Sequence, residues 1–336
     1  MAILRTTGLR RGTVDLTEFF AGSRLWIVAG KGGVGKTTVT AALAHVAAGA
    51  GLRTLVVEVE GKNHLGPMLG GDGELEYDEV TFATGTGPTG SGWLKARTIS
   101  ADRALLDYLR EKGLHRVSGR IVRHGLLDIV TTGVPGIDDI LVLGKVKQLE
   151  RAGVADVILL DGPAAGHAVT FLQSAAGLVD AVKVGPIHTQ AADVLAMLSD
   201  PARTQVLLVT VPEETPVNEV VETAFALEDR VGVSLGPVVV NACYGEFDEL
   251  GSDPWAAAEA VGVRLDRQEA ADLAAAARFR LDRLALQHEQ LARLAERLPL
   301  PQLRLPFLFT AGIGSDEVAE LAGTLARSIE AAAVLP

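Results

Sequence analysis

A glycine-rich segment near the N-terminus carries the residues whose types and spacing point most directly to chemistry. Residues 30–38 read GKGGVGKTT, which satisfies the pattern G-x-x-x-x-G-K-[ST] of a phosphate-binding loop. The apolar run 25–29 precedes this segment and the alanine-rich helical stretch 39–50 follows it, which is the strand–loop–helix context that the motif requires. Backbone N–H groups and the helix N-terminus of such a loop bind a polyphosphate, whereas a plain glycine-rich turn would bind nothing. The predicted phosphate-binding residues are Gly30, Gly32, Gly33, Val34, Gly35, Lys36, Thr37 and Thr38.

Three polar side chains are candidates for the reaction itself. Lys36 is expected to reach the β- and γ-phosphates of ATP, and the Thr37 hydroxyl to complete the coordination shell of Mg²⁺. Asp161 ends the apolar run 157–160, where a carboxylate would accept hydrogen bonds from Mg²⁺-bound water or from the loop hydroxyl. We therefore predict Thr37 and Asp161 as metal-binding residues, and Lys36 and Asp161 as catalytic residues.

A second lysine, Lys31, lies directly after the first glycine of the loop. This arrangement resembles the "deviant" Walker A loops of dimeric nucleotide switches, in which the lysine crosses the interface to the partner's phosphates. A cation supplied in trans neutralises the charge that develops during phosphoryl transfer. The resemblance implies a catalytic role for Lys31, and the alternative is a solvated surface lysine.

Composition narrows the class of protein. The chain has 336 residues, of which 48% are hydrophobic, enough for a large core. Its net charge is −11 and no run of lysine and arginine stands out, which argues against a nucleic-acid partner. The single cysteine, Cys243, excludes an intrachain disulfide framework. We find no signal-peptide pattern and no apolar run of membrane-spanning length, so a cytoplasmic location is expected.

Apolar runs alternate with helical patterns along most of the chain, which predicts an α/β fold with a doubly wound, mostly parallel sheet. The predicted strands are 25–29, 54–59, 156–160, 181–184, 205–211, 237–241 and 303–307. Two stretches, 92–155 and 245–298, read as helical excursions. The predicted organisation is an N-terminal extension (1–23), a P-loop core (24–91, 156–244 and 299–336) and a helical subdomain built from both excursions.

These motifs together resemble those of the ATPase family of the arsenite-pump subunit and the tail-anchored-protein targeting factor. Residues 161–167 (DGPAAGH) resemble its switch II, in which Gly166 would let the backbone approach the γ-phosphate, and 135–139 (PGIDD) resemble its P-G-I-D-E segment. His167 would either carry the switch signal or cap the next helix. Asn241 matches the family's adenine-reading asparagine, and Pro306 and Phe307 lie where a second adenine-contacting loop falls. The resemblance covers about residues 24–333.

The sequence departs from the family pattern at positions that affect the expected rate of hydrolysis and the expected ligands. Glu60 stands where the family has the aspartate that orients the attacking water, and its side chain is one methylene longer. A misplacement of about 1 Å can cost about 100-fold in rate, so hydrolysis is expected to be slow. The family's zinc-binding C-x-x-C is absent, and one cysteine supports neither metalloid capture nor an iron–sulfur cluster. The expected ligands are thus ATP and Mg²⁺, without zinc or iron–sulfur.

The resemblance implies a Mg-ATP-dependent dimeric ATPase that couples hydrolysis to opening and closing of a helical cap. Its dimer would form with a like chain or with a paralogous ATPase, and the cap would handle a hydrophobic protein cargo or a membrane partner. The Glu60 replacement keeps a second reading open, a weakly or non-hydrolysing scaffold subunit that holds a catalytic paralogue. A partitioning-type ATPase is less favoured, because the last helical stretch has a single basic residue, Arg327.

Overall fold

An eight-stranded β-sheet runs through the centre of the computed structural model, which describes residues 15–59, 64–111, 113, 136–247 and 250–332, with backbone only for 164–167. Its strands are β1 (Leu25–Gly30), β2 (Arg53–Val59), β3 (Val80–Thr86), β4 (Gly92–Ile99), β5 (Val157–Ala164), β6 (Thr204–Thr210), β7 (Ser234–Cys243) and β8 (Gln302–Pro306). Their spatial order is β3–β4–β2–β5–β1–β6–β7–β8. Every neighbouring pair is parallel except β3 with β4.

Helices cover both faces of this sheet. Those of the described residues are α1 (Leu16–Ala21), α2 (Lys36–Gly49), α3 (Leu65–Met68), α4 (Ala101–Glu111), α5 (Ile137–Ala152), α6 (Ala165–Ala181), α7 (Pro186–Leu198), α8 (Glu214–Val231), α9 (Pro254–Ala260), α10 (Arg267–Arg297) and α11 (Ser315–Ala332). None of these helices has the length and apolar character needed to cross a membrane. The cytoplasmic location stays a prediction.

The central strand β1 shows why the sheet is covered on both sides. Leu25 and Ile27 belong to a core shared with α4 to α8 and the end of α10, whereas Trp26 and Val28 belong to a core shared with α1, α2 and α11. Since both faces are packed, all of β1 is buried and its sequence is a continuous apolar run rather than an alternating one. The predicted fold class, a doubly wound and mostly parallel α/β sheet, is confirmed.

Most predicted strands are present with their ends shifted by a few residues, but the strand at 181–184 is wrong. Ala181 is the last residue of α6, and Val184 is 81% exposed in the link to α7. A short apolar run is ambiguous between a strand and the end of a helix, and here the helix ends at the first residue of the run while the rest of the run lies in the link.

The beginning of the first predicted helical excursion is also wrong, because residues 92–99 form β4. This strand pairs with β2 on one side and with the antiparallel β3 on the other. Neither β3 nor β4 was predicted, since β3 is a half-exposed edge strand without an apolar run. Helices α4 and α5 lie in the remainder of that excursion, and α9 and α10 in the second. Their grouping into one subdomain stays a prediction, and residues 114–135 lie outside the described residues.

The predicted N-terminal extension is tied to the core by α1. The Phe19 and Phe20 rings lie 4.9 and 5.7 Å from the ring of Trp26 in β1. Residues 1–14 lie outside the described residues.

Candidate nucleotide-binding site

The phosphate-binding loop joins β1 to α2 at the carboxyl edge of the sheet. Two glycines let it lie close to the neighbouring strands. A Cβ atom on Gly30 would lie 2.3 Å from the Val209 carbonyl oxygen, and one on Gly35 would lie 2.3 Å from Asn241 Nδ2. Gly35 also has a φ of 89°, which side chains rarely adopt. A larger residue at Gly30 would therefore clash with the backbone of β6, and one at Gly35 would be strained and would displace the Asn241 amide.

Two polar residues begin α2 beneath this loop, and the second of them contacts the carboxylate of β5. Lys36, the first residue of α2, is 7% exposed and its Nζ donates to the Lys31 carbonyl oxygen at 2.8 Å. Thr37 Oγ1 donates to Asp161 Oδ2 at 2.8 Å, and Asp161 is fully buried. Asp161 is placed there because β5 pairs with β1 in a register that sets it beside Val28. A hydroxyl and a carboxylate oxygen are ligands of the kind Mg²⁺ prefers, so this pair fits a magnesium site.

The residues predicted to contact adenine lie at the carboxyl ends of β7 and β8. Asn241 Nδ2 donates to the Val34 carbonyl oxygen at 3.0 Å, which links β7 to the loop. Pro306 is in register with Cys243, and the Phe307 N–H donates to the Cys243 carbonyl oxygen at 2.8 Å. The structure thus brings Asn241 beside the phosphate-binding loop, and Pro306 and Phe307 beside the end of β7. Their contact with a base stays a prediction.

The remaining loop residues have different surroundings. Gly32 and Gly33 are exposed, whereas Val34 and Thr38 are buried, with the Thr38 hydroxyl 4.0 Å from Met68 Sδ. Gly166 lies in the first turn of α6, directly after β5. The phosphate roles predicted for all of these residues stay predictions.

Comparison with known proteins places the chain in a family. Residues 25–76 match the family described as CobQ/CobB/MinD/ParA nucleotide binding domain. The chain is 30% identical to ATPase BagA of Mycobacterium tuberculosis over 97% of this chain and 99% of that protein. It belongs to the ArsA/Get-type ATPase family. A Mycobacterium bovis protein matches with the same identity and coverage. The arsenical pump-driving ATPase of Acidiphilium multivorum is 27% identical over 65% of this chain and 34% of that protein.

Within this ArsA/Get-type ATPase, the second loop lysine forms an ion pair in its own chain. Lys31 Nζ contacts Glu219 Oε1 of α8, and the two side chains are 45% and 32% exposed. Lys31 is therefore neither buried in the loop nor a freely solvated lysine. Nothing in the sequence singled out Glu219, because no spacing rule connects α8 with the loop.

A glutamine of α10 holds the chain at the predicted adenine side. Ala242 has a φ of 58°, a conformation that is rare for a residue other than glycine. Gln287, which is 5% exposed, donates from Nε2 to the Ala242 carbonyl oxygen at 3.3 Å and accepts from the Tyr244 N–H at 2.8 Å. Arg280 of the same helix lies 3.9 Å above the Tyr244 ring. Helix α10 is thus bonded directly to the residue that follows Asn241.

A second buried acid at the carboxyl edge was not predicted as a site residue. Glu58 is 1% exposed, is in register with Asp161, and its Oε1 accepts from the N–H groups of His64 and Leu65, both at 3.3 Å. It therefore holds the chain where it returns after residues 60–63. Those residues include the predicted water-orienting Glu60, which lies outside the described residues, as does Pro135 of the PGIDD segment. The signal for Glu58 was present in the sequence as one charged residue inside the apolar run 54–59.

Proposed function

We propose that this chain is a Mg-ATP-dependent switch that hydrolyses ATP and closes as a dimer around two nucleotides. The observation that carries the proposal is the hydrogen bond between Thr37 and the buried Asp161 beneath the phosphate-binding loop. It sets a hydroxyl and a carboxylate side by side where P-loop proteins hold the magnesium ion of Mg-ATP. Membership of a family of P-loop ATPases supports the same chemistry.

The phosphate side of the site is assigned to α2 and β5. On ATP binding, Lys36 Nζ exchanges the Lys31 carbonyl for the β- and γ-phosphate oxygens. Thr37 and Asp161 would hold Mg²⁺, which when bound would neutralise charge on the phosphate oxygens. Glu60 orients the attacking water in this proposal, an assignment that rests on its place in the sequence. Its extra methylene relative to aspartate supports slow turnover.

The dimer part of the proposal is supported by the environment of Lys31. Its ion pair with Glu219 gives the lysine a partner while its own chain is alone. Half-exposed ion pairs contribute at most about 1 kcal/mol to stability, so the phosphates of a second subunit can replace this carboxylate. Lys31 would then stabilise the charge that develops during transfer in the partner's site.

The cap part of the proposal is supported by apolar exposure on α9 and α10. Trp255 of α9 is 50% exposed, and Leu273 and Phe279 of α10 are 51% and 68% exposed. Exposed apolar side chains on neighbouring helices are typical of surfaces that bind another protein or a membrane. Since Gln287 ties α10 to the adenine side, the nucleotide can influence this surface. We propose a hydrophobic protein cargo or a membrane partner as its ligand.

Nucleotide binding is tested with Lys36→Ala, and with Lys183→Ala as the control. Lys183 is an exposed lysine in the link between α6 and α7. We expect Lys36→Ala to lose ATP binding, measured with a fluorescent ATP analogue, while its circular dichroism spectrum stays that of the parent. Lys183→Ala is expected to bind like the parent. ATP binding by Lys36→Ala within a few-fold of the parent would contradict the site.

The rate of ATP hydrolysis distinguishes the proposed switch from a weakly or non-hydrolysing scaffold subunit. That alternative is open because Glu60 replaces the family's aspartate. Glu60→Gln is expected to bind Mg-ATP normally and to turn it over far more slowly, whereas Glu60→Asp retains or raises the rate. Turnover is measured for the chain alone and mixed with a paralogous chain from the same source. Equal rates for Glu60→Gln and the parent would move the water-orienting role to another residue, or, where both rates are negligible, support the scaffold alternative.

A further inference from the structure

A cavity of about 460 Å³ lies beside the outer part of the sheet, away from the phosphate-binding loop. It opens near the carboxyl end of β4, and two strands, β2 and β5, separate β4 from β1. Its principal lining residues are Tyr77, Arg97, Arg103, Asp107, Arg110 and Lys145. Cationic side chains dominate this list, although the chain as a whole has a net charge of −11.

The innermost of these cations is Arg97 of β4. It is 7% exposed, and its guanidinium carbon lies 4.5 Å from the centre of the Tyr77 ring. Its Nε donates to no atom of the residues that the structure describes, and it forms no ion pair with any of them. A guanidinium is always charged, and a buried charge without a counter-ion is strongly disfavoured. The cation–π contact compensates for only part of that cost.

The other charges leave the cavity positive. Asp107 accepts from Tyr77 at 2.7 Å and from Lys145 at 2.6 Å, and it also faces Arg110 at 3.6 Å. Burial alone would raise the pKa of Asp107, but the bonds from Lys145 and Tyr77 outweigh it and lower this pKa. Arg103 lies 5.4 Å from the Tyr77 ring and has no ion pair within the described part of the chain.

The exposed Asp78 also lines the cavity, at its rim. The lining therefore contains four cationic side chains and two carboxylates. The excess is two positive charges, and Arg97 and Arg103 are the two of these four cations that form no ion pair with any described residue. Arginine pairs bind phosphate oxygens through parallel N–H donors, and a phosphate monoester carries close to two negative charges near neutral pH. We propose that this cavity is a second anion site, independent of the nucleotide site, that binds the phosphate group of a small phosphorylated molecule.

The test is calorimetric titration of the full chain with glycerol 3-phosphate and with inorganic phosphate, without nucleotide or Mg²⁺. Lys36→Ala serves as the background, so that the phosphate-binding loop does not contribute. We expect saturable binding that Arg97→Gln and Arg103→Gln each weaken by about tenfold or more, the effect of losing a charge-assisted hydrogen bond. Arg97→Lys, which keeps the charge, is expected to weaken binding less than Arg97→Gln.

The matched control is Arg230→Gln, at an exposed arginine near the end of α8, which is expected to leave the affinity unchanged. If Arg97→Gln does not fold, Arg103→Gln carries the test, because Arg103 is exposed at the rim. Tighter binding of glycerol 3-phosphate identifies a phosphorylated molecule as ligand, and tighter binding of inorganic phosphate identifies the free ion. Absence of binding by both probes, or equal affinities for Arg103→Gln and Arg230→Gln, would overturn the proposal.

Discussion

At the scale of single residues, the contact between Thr37 and Asp161 is the basis of the magnesium assignment. We expect Thr37→Ala and Asp161→Asn to raise the Mg²⁺ concentration needed for half-maximal turnover by about tenfold or more, as loss of a metal-orienting group commonly does. Thr37→Ser keeps the hydroxyl and is expected to stay close to the parent. The measurement is ATP turnover against Mg²⁺ concentration. Identical Mg²⁺ dependence for Thr37→Ala and Thr37→Ser would show that the Thr37 hydroxyl does not bind the metal ion.

Cys243 provides a probe of the predicted adenine side, because it is the only cysteine of the chain. Burial raises the pKa of its thiol to about 11, so the thiol stays protonated well above the ordinary cysteine pKa of about 8.5. The thiolate is the reactive form, and we therefore expect slow alkylation whose rate rises with hydroxide concentration up to about pH 11.

Alkylation of Cys243 is followed by mass spectrometry, with and without nucleotide. Cys243 lies two residues after Asn241, so ATP is expected to slow the reaction further. Chain denatured in guanidinium is the control and is expected to react at the rate of free cysteine. A native rate equal to the denatured rate would show that the end of β7 is open to solvent.

At the scale of elements, Gln287 connects α10 to the end of β7, where we predict the adenine base to bind. Gln287→Leu leaves the Ala242 carbonyl and the Tyr244 N–H without their partner. An unsatisfied buried polar group costs about 1–3 kcal/mol. We expect a lower free energy of unfolding together with weaker ATP binding and an unchanged Mg²⁺ requirement.

Gln290→Leu is the matched control for this effect. Gln290 is 3% exposed on the same helix, and its Oε1 accepts no hydrogen bond within the described residues. Its replacement is expected to leave ATP affinity unchanged. Denaturant unfolding and nucleotide titration check both variants. Equal ATP affinities for Gln287→Leu and Gln290→Leu would show that Gln287 stabilises the fold without affecting nucleotide binding.

At the scale of the whole molecule, the proposal is that Lys31 pairs with Glu219 in the single chain and with the partner's phosphates in the dimer. ATP shifts an equilibrium only by its differential affinity for the two states, so it must bind the closed dimer more tightly. We expect Lys31→Ala to bind nucleotide but to lose ATP-dependent dimerisation and most hydrolysis. Glu219→Gln releases Lys31 and is expected to favour the dimer by at most about fivefold, in line with a half-exposed ion pair.

Sedimentation velocity with Mg-ATP measures this equilibrium, for the chain alone and with a paralogous chain. Glu222→Gln, at an exposed acid on the same helix, is the control and is expected to behave as the parent. A chain that stays monomeric throughout, and whose Lys31→Ala variant hydrolyses ATP at the parent's rate, would exclude the dimer switch.

The sequence by itself determined the features that depend on local pattern. The loop motif, six of the seven parallel strands and the carboxylate of Asp161 were predicted, because residue type and short-range spacing dictate strand, turn and helix N-terminus. The same local reasoning missed β3 and β4. An edge strand without an apolar run is stabilised by its neighbour in the sheet, which sequence pattern does not reveal.

Tertiary structure alone decided which distant side chains meet. Glu219 pairs with Lys31 across 188 positions of sequence, and Gln287 bonds to Ala242 across 45. Arg97 was unremarkable in the sequence, and only its burial without an ion pair among the described residues gives it the proposed role. The physical reason is common to all three. Hydrogen bonding, charge compensation and desolvation depend on distances in space, which chain folding sets and local sequence does not encode.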